Sequence, residues 1–550
     1  MNSCKAFIKG DRIGLKIPYK YRNMAKKIPT YRWNSKKKIW TYNLSPLLAY
    51  KITKLNLEVE TTEDFNELVK TAKQVKKAQK LKGKEDLPEI PNTKYPAWTH
   101  QKQAYHFAKN LHSTMLAMDM GTGKTKVAID LIVNRKHSKT LVVCPLSAIS
   151  VWPKEIEKHT KGNISIRSIP LNAGSTENRM EYMNLELRKA EAKNQQAVVI
   201  LNYDIIYRDN VKKELEKIDF DFMIADESHR IKAPGGAQSL ACYRIGKKIP
   251  YKLTLTGTPM PHSPLDIYAQ YRFLDPAIYG SSFNRFKNRY GIYGGYGGYE
   301  LLGFQNQEEM NSKFYFIAYK CDSDEVQDLP DKIDITRTAK LSKKAEKKYN
   351  ELSSMYYTQF KDGEELTALN ALSKLLRLQQ LTSGYLPDDD DKIHILDSSK
   401  QQLLDDIMKD LSPEEPLVVF ARFTYDLKKI REVAKDNNRS YAELSGNSDD
   451  LEEWQNGEYN VIGIQIKSGS LGVDLTRSRY AVYYSMGYSL GDYKQSRKRI
   501  HRPGQNKDTR FIHLLIENTV DIKTMNAIKQ KKEIIDYILE EIKTGQEGRI

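Results

Sequence analysis

The stretch TMLAMDMGTGKT, residues 114–125, limits what this chain can fold into more than any other. A short apolar run from Thr114 to Met118 reads as a buried parallel strand. It breaks into a turn carrying Gly121 and Gly123. Lys124 and Thr125 then open a helix with Val127, Ala128, Ile129, Leu131 and Ile132 at its apolar positions. A strand, a glycine turn and a helix N-terminus make a phosphate cradle. Backbone N–H groups over Met120–Thr125 and the helix dipole face the anion, the lysine reaches the β- and γ-phosphates, and the threonine hydroxyl can hold Mg²⁺. Met118 stands where the strict G-x-x-x-x-G-K-T pattern has its first glycine.

Such a strand needs parallel neighbours. From Tyr95 onward apolar strands alternate with helices, the signature of an α/β sheet, with strands expected at 114–118, 140–144, 197–201, 221–225 and 251–255. The alternation stops after Pro276. Residues 277–335 read as a connector containing the Gly/Tyr-rich loop RYGIYGGYGGY (289–299), with a crossing at Leu329-Pro330. A second α/β unit, 336–525, has strands expected near 416–420, 461–465, 480–484 and 510–515. The acidic run Asp388–Asp391 reads as a solvated loop, and helically spaced Ile534, Ile535, Ile538 and Ile542 place a C-terminal helix over 526–550.

Composition narrows the partner. The formal charge is +18, and residues 1–90 hold 21 Lys/Arg against 9 Asp/Glu, so most of the excess sits at one end. A polyanion is the expected partner. Cys4, Cys144, Cys242 and Cys321 form no C-x-x-C pair, which argues against a zinc site or disulfide framework and suits a reducing cytosol. No apolar run approaches a membrane span, and the N-terminus lacks a signal-peptide layout. In residues 1–60, Tyr31, Trp33, Trp40 and Tyr42 interleave with Arg32 and Lys36–Lys38 around a hairpin turn at Asn34-Ser35. Aromatics among cations suit stacking on bases, and a small domain also needs large aromatics for its core; both readings stay open. Lysine-rich 61–94 reads as a helical or flexible linker without a strong apolar face.

The remaining motifs carry chemistry. DFMIADESH, 221–229, ends an apolar strand in Asp226-Glu227, where ligands sit in open α/β folds. Asp226 is expected to hold Mg²⁺ with Thr125, and Glu227 to orient and deprotonate the attacking water. LTLTGTP, 253–259, places Thr256 and Thr258 on a turn at the γ-phosphate end. WTHQ opens a helix whose Gln101 amide can read adenine. SGSLGVDL, 468–475, sets Gly469, Gly472 and Asp474 in a close-approach loop. In QSRKRIHRPGQ, 495–505, Arg499 and Arg502 are spaced to reach a phosphate held on the other unit and neutralise transition-state charge, or to touch nucleic acid.

In this order, WTHQ, DMGTGKT, CPLS, DESH, LTGTP, SGSLGVDL and QSRKRIHRPGQ resemble the superfamily 2 helicase-like ATPases of the Swi/Snf type over residues 95–525. The resemblance implies two RecA-like lobes, ATP between them and DNA across both. It assigns adenine to Gln101, phosphate and Mg²⁺ to Lys124 and Thr125, the Mg²⁺–water pair to Asp226 and Glu227, and the paired arginines to Arg499 and Arg502. Lys498 and Ser228 stand where many relatives have glycine and alanine. Residues 13–44 are similar to the HARP module of annealing helicases of bacterial or phage type. DNA contact is then expected from Arg32, Trp33, Lys36, Lys37, Lys38 and Trp40, and on the lobes from Pro145, Ser147, Arg422, Ser468 and Gly469. The implied protein is a cytoplasmic, DNA-associated, monomeric ATP- and Mg²⁺-dependent translocase acting on forked or branched DNA in repair, recombination or replication, alongside single-strand-binding or recombination proteins. The alternatives are a motor that strips protein from DNA, an RNA helicase, and a non-hydrolysing scaffold.

Overall fold

The computed structural model describes residues 4–10, 12–28, 31–43, 45–162, 164–261, 263–294, 300–322, 329–361, 368–388, 392–466 and 473–530. Two compact units divide at Val326/Gln327.

The first unit begins with a mixed five-stranded sheet. Strands Cys4–Lys9, Arg12–Lys16, Ile39–Asn43 and Arg32–Asn34 run antiparallel in that spatial order, and Val59–Thr61 lies parallel to the first. The turn expected at Asn34-Ser35 joins two of them, with the Asn34 side chain accepting from the Lys37 N–H at 3.0 Å. Helix Glu63–Gln79 follows, and it corrects the reading of 61–94 as a linker without an apolar face. Phe65 and Val69 on this helix pack into the small sheet's core, while Ala72, Val75 and Ala78 pack into the core of the large sheet that follows. Its end is pinned by Gln79 to the Tyr315 and Phe316 carbonyls and by Lys82 to that of Ala318. The helix is shared by two cores.

The large sheet has seven strands, ordered Ala318–Cys321, Ser113–Met118, Tyr251–Thr256, Phe222–Asp226, Lys139–Cys144, Gln196–Asn202 and Ile166–Pro170, all parallel. Central strands are buried on both faces and read as unbroken apolar runs such as FMIAD. The five expected strands are present. The two edge strands come from Ile166–Pro170 and from Ala318–Cys321, so this lobe extends past the boundary expected at Pro276. Helix Phe283–Tyr290 packs Phe286 and Tyr290 into the same core, and a hairpin of Gly291–Gly294 and Glu300–Phe304 follows.

The second unit carries a six-stranded sheet ordered Lys332–Ala339, Thr509–Ile516, Tyr480–Tyr483, Leu417–Ala421, Val461–Gln465 and Tyr441–Leu444, again all parallel. Its first strand begins inside the expected connector and is held by Arg497, whose guanidinium grips both oxygens of Asp334 at 2.6 and 2.9 Å. The fold class is the expected one: a small α+β domain and two parallel-sheet α/β lobes. The greater part of the expected C-terminal helix and the tips of the Gly/Tyr-rich and acidic loops lie outside the described residues.

Candidate nucleotide site

Parallel strands all finish on one edge, and that edge collects the first lobe's chemistry. The strand Tyr251–Thr256 lies between Ser113–Met118 and Phe222–Asp226, so the phosphate loop, the Thr256–Thr258 turn and Asp226-Glu227 emerge side by side. Gly121 and Gly123 have φ of +80° and +86°. At Gly123 an added Cβ would meet the Gln101 amide at 2.2 Å, so both backbone and space demand glycine there. Thr122 donates to the Asp119 carbonyl at 2.6 Å, and the Lys124 ammonium donates to the same carbonyl at 3.2 Å. Lys124 opens helix Lys124–Arg135 as expected, with half-buried Thr125 beside it.

Gln101, expected at adenine, packs against the glycine loop. It is buried, its carbonyl accepts from the Trp98 N–H at 3.1 Å, and its amide donates to the Thr122 carbonyl at 3.1 Å. His100 reaches the same carbonyl at 2.9 Å. Both side chains prop the loop from beneath.

Asp226 is enclosed. Oδ2 accepts from the Trp152 indole N–H at 3.0 Å, Oδ1 from the Glu227 N–H at 3.0 Å, and its carbonyl from the Tyr203 hydroxyl at 2.7 Å. Burial, reinforced by the Glu227 charge, pushes its carboxyl up to about 6, while the Trp152 bond and the Lys124 ammonium pull the other way. Glu227 adopts a left-handed backbone (φ +49°, ψ +53°), rare for a residue with a side chain, and lies 3.4 Å from the His229 imidazole. Ser228 donates to Gln270 at 2.8 Å, whose amide donates to the Pro259 carbonyl at 2.6 Å, tying this strand end to the Thr256–Pro259 turn. Trp152, Tyr203, His100 and Gln270 were not singled out in the sequence. A tryptophan or tyrosine within an apolar pattern looks like any core residue.

The hard oxygen donors of Asp226 and Thr125 fit Mg²⁺, which characteristically takes one or two protein oxygens and completes its shell with phosphate and water. Among the described residues no group of three or more His, Cys, Asp or Glu forms a self-sufficient metal cage.

On the second lobe, Arg499 lies in the last turn of helix Leu490–Ile500, buried, and its carbonyl accepts from the Leu475 N–H at 3.0 Å. Arg502 follows the helix and pairs with Asp474 at 4.0 Å, and Asp474 also accepts from the Thr476 hydroxyl at 2.7 Å. The two arginine positions and the end of the SGSLGVDL segment are thus one local assembly. Ser468, Gly469 and Gly472 lie outside the described residues. Arg422 is half-buried with its guanidinium over the Tyr488 ring at 4.7 Å.

Among the residues expected to touch DNA, Arg32, Trp33, Lys36, Lys37 and Lys38 are exposed. Trp40 is a correction: only 7% exposed, it belongs to the small domain's core with Tyr42 and offers its ring to Trp33 at 5.0 Å. A strand alternates its faces, so Trp40 and Tyr42 point inward together. Tyr19, 74% exposed beneath the Arg22 guanidinium at 4.3 Å, adds an outward platform that the sequence did not single out. On the first lobe Pro145 is buried and Ser147 half-buried.

The sequence matches the SNF2-related domain over residues 100–385, more than half of the chain, and the helicase conserved C-terminal domain over 399–504. An uncharacterised ATP-dependent helicase of Mycoplasma pneumoniae is 22% identical over 446 residues, covering 79% of this chain and 41% of that protein. Protein p41 of Acyrthosiphon pisum secondary endosymbiont phage 1 is 27% identical over 456 residues, covering 77% of this chain and 94% of the phage protein. A solved Sulfolobus solfataricus SWI2/SNF2 ATPase core in complex with dsDNA is 21% identical, covers 84% of this chain and 96% of its own, and superposes with a TM-score of 0.39. The chain spans about two-fifths of the length of the two Mycoplasma helicases it matches. No helix among the described residues is long and apolar enough to cross a membrane. Matched by the SNF2-related domain over more than half of its length, the chain belongs to the SNF2-related family of helicase-like proteins.

Proposed function

We propose that this protein is an ATP-driven DNA translocase acting at forked or branched DNA. The observation that carries the reading is the gathering of Lys124, Asp226 and Glu227 on one edge of an all-parallel sheet, in a chain of the SNF2-related family. Lys124 and the loop N–H groups hold the phosphates, and Asp226 with Thr125 holds the metal. When bound there, Mg²⁺ would supply charge neutralisation to the phosphates. Glu227 takes the proton of the attacking water; Arg499 and Arg502 carry the charge-balancing role only by the motif they match. The charge of the first ninety residues supports a nucleic-acid partner, and the outward Tyr19, Trp33 and Lys36–Lys38 support recognition of unpaired or bent segments by the small domain.

Lys124→Ala and Glu227→Gln are expected to bind DNA while losing hydrolysis; unchanged turnover in either sinks the site assignment. The branched-DNA reading is tested by ATPase assays on single-stranded, duplex, forked and four-way DNA with Trp33→Ala and with Lys36, Lys37 and Lys38 all replaced by alanine. Truncating the domain is the poorer choice, because helix Glu63–Gln79 belongs to both cores. Equal stimulation by all four DNAs, unaltered by these substitutions, removes the branched-DNA role and leaves the motor.

A further inference from the structure

Trp152 is 1% exposed, and a buried indole N–H needs an acceptor. Its acceptor is Oδ2 of Asp226, at 3.0 Å. The residue belongs to helix Val151–His159, entered directly from the short 3-10 turn Leu146–Ala148. At that turn Leu146 is 59% exposed and Ser147 half-buried, so one end of a seven-residue segment meets solvent while the other holds the carboxylate. The preceding strand Lys139–Cys144 lies beside Phe222–Asp226, with Val143 opposite Ala225, so both strands deliver their ends to the same edge. Between turn and indole, Ile149 is buried in the lobe's core. Ser150 and Val151 are exposed, so Ile149 and Trp152 are the two anchors that tie this short segment to the core, and a load at Leu146–Ser147 has a short path to the indole.

We propose that Trp152 is a positioning residue that couples occupancy of the Pro145–Ser147 segment by a DNA backbone to the orientation of the Asp226 carboxylate. The identity of the occupant rests on the DNA-translocase reading above; the hold on Asp226 does not. With the indole seated, Oδ2 is fixed and the carboxylate presents its remaining lone pairs in one direction. A shift of the indole leaves the Glu227 N–H on Oδ1 as the carboxylate's remaining hydrogen bond, and Oδ2 is free to swing about it. Phosphoryl transfer is thereby made sensitive to what lies on the outer surface of the segment, and the device uses one hydrogen bond.

The test uses the full chain containing 5-fluorotryptophan and reads its fluorine-19 spectrum. The five tryptophans give five resonances, and that of Trp152 is identified by its loss in Trp152→Phe. Should that variant fail to fold, replacing Trp33, Trp40, Trp98 and Trp454 singly leaves Trp152 by elimination. Duplex DNA added without nucleotide is expected to move the Trp152 resonance, with binding followed in parallel by fluorescence anisotropy. Mg²⁺ with ADP is expected to move it further than ADP alone. In Trp152→Phe the Mg²⁺ needed to half-saturate binding of a fluorescent ADP should rise about tenfold to a hundredfold, the usual effect of removing a partner behind a metal ligand. Affinity for the metal-free nucleotide should stay unchanged. Bound DNA with a stationary Trp152 resonance overturns the coupling. A resonance indifferent to Mg²⁺, or an unaltered Mg²⁺ requirement in the variant, overturns the hold on Asp226. If DNA does not bind at all, the translocase reading fails and the coupling falls with it, while the Mg²⁺ arm still decides the Trp152–Asp226 contact.

Discussion

The two lobes solve the same electrostatic problem to different ends. Each buries an aspartate whose carboxyl is pushed up to about 6, Asp226 in the first lobe and Asp426 in the second, chiefly by burial. Each also buries a lysine–aspartate pair at 2.7 Å, Lys126 with Asp130 and Lys400 with Asp521. The difference lies in what faces the lone carboxylate. Asp226 ends a strand at the sheet edge, with the Trp152 and Glu227 N–H groups on its oxygens and the Lys124 ammonium near. Asp426 lies in the first turn of helix Thr424–Asp436, where the Ser485 and Ser383 hydroxyls both donate to Oδ2 and the Lys400 charge is near. Its Oδ1 has no hydrogen-bond partner among the described residues. Burial of a carboxylate is costly in both places. In the first lobe the cost leaves a charged group at the edge where the parallel strands end; in the second it joins parts of the fold together.

The largest effect that separates them is catalytic. Glu227→Gln, beside Asp226, should cut steady-state ATP turnover by about 10²–10⁴, the usual contribution of a positioned general base. Asp426→Asn should leave turnover per folded molecule near that of the natural chain. A matching loss in both would erase the distinction. Next in size is the second lobe's ion pair. Lys400 and Asp521 are 2% and 4% exposed, so Lys400→Met strands a buried carboxylate and should cost about 3–5 kcal/mol in urea denaturation.

A smaller effect carries a sign. In the folded protein Asp426 keeps its proton up to about pH 6, whereas the unfolded chain releases it near 3.8, so the folded state binds more protons in that window. Stability contributed by this group is therefore lost as pH rises from about 4 to 6, and the displacement of roughly two units corresponds to about 3 kcal/mol. Asp426→Asn should raise the melting temperature at pH 7.5 and lose its advantage near pH 4. A gain that does not change with pH would show that packing is responsible.

This contrast was legible in the sequence only on one side. The phosphate loop and Asp226-Glu227 stood out because their spacing after apolar strands has few other uses, and the central strands stood out because burial on both faces gives unbroken apolar runs. Asp426 has no such signature: within FTYDLKK it looks like an ordinary first-turn acid. The edge strands Ile166–Pro170 and Ala318–Cys321 were missed because each borders only one neighbour and is short. A helix was among the readings of 61–94, but the packing face of Glu63–Gln79 was missed because its stripe of Phe65, Val69, Ala72, Val75 and Ala78 is narrow and small among lysines, enough to fit between two cores but too weak to dominate the local hydropathy. Trp40 misled because aromatics among cations look the same whether they stack on bases or fill a small core, and only the strand's alternation decides between them.

The smallest effect sharpens the contrast between the two ion pairs. Lys126 and Asp130 lie one turn apart on the phosphate-loop helix, and Lys126 also donates to the Thr93 hydroxyl at 2.9 Å. That hydroxyl also donates to the Tyr95 carbonyl at 2.9 Å, and the Asp130 side chain is bonded to Lys126 on its own helix and to Thr93, with the His159 imidazole near. Replacing both, Lys126→Met with Asp130→Leu, removes two buried charges together and should change stability by no more than about 1 kcal/mol, whereas Asp130→Leu alone strands an ammonium and should cost several times that. The second lobe does not allow the same exchange. Asp521 also accepts from the Thr382 hydroxyl at 3.1 Å and from the Ile516 N–H at 3.2 Å; the hydroxyl keeps the Gln379 carbonyl at 3.0 Å, but a double apolar replacement of Lys400 and Asp521 orphans the buried Ile516 donor. Urea denaturation of the two double variants should therefore diverge, near-neutral in the first lobe and destabilising in the second. Equal behaviour would mean that the Asp521 network is no more than an ion pair, and that the two lobes bury their charges on the same terms.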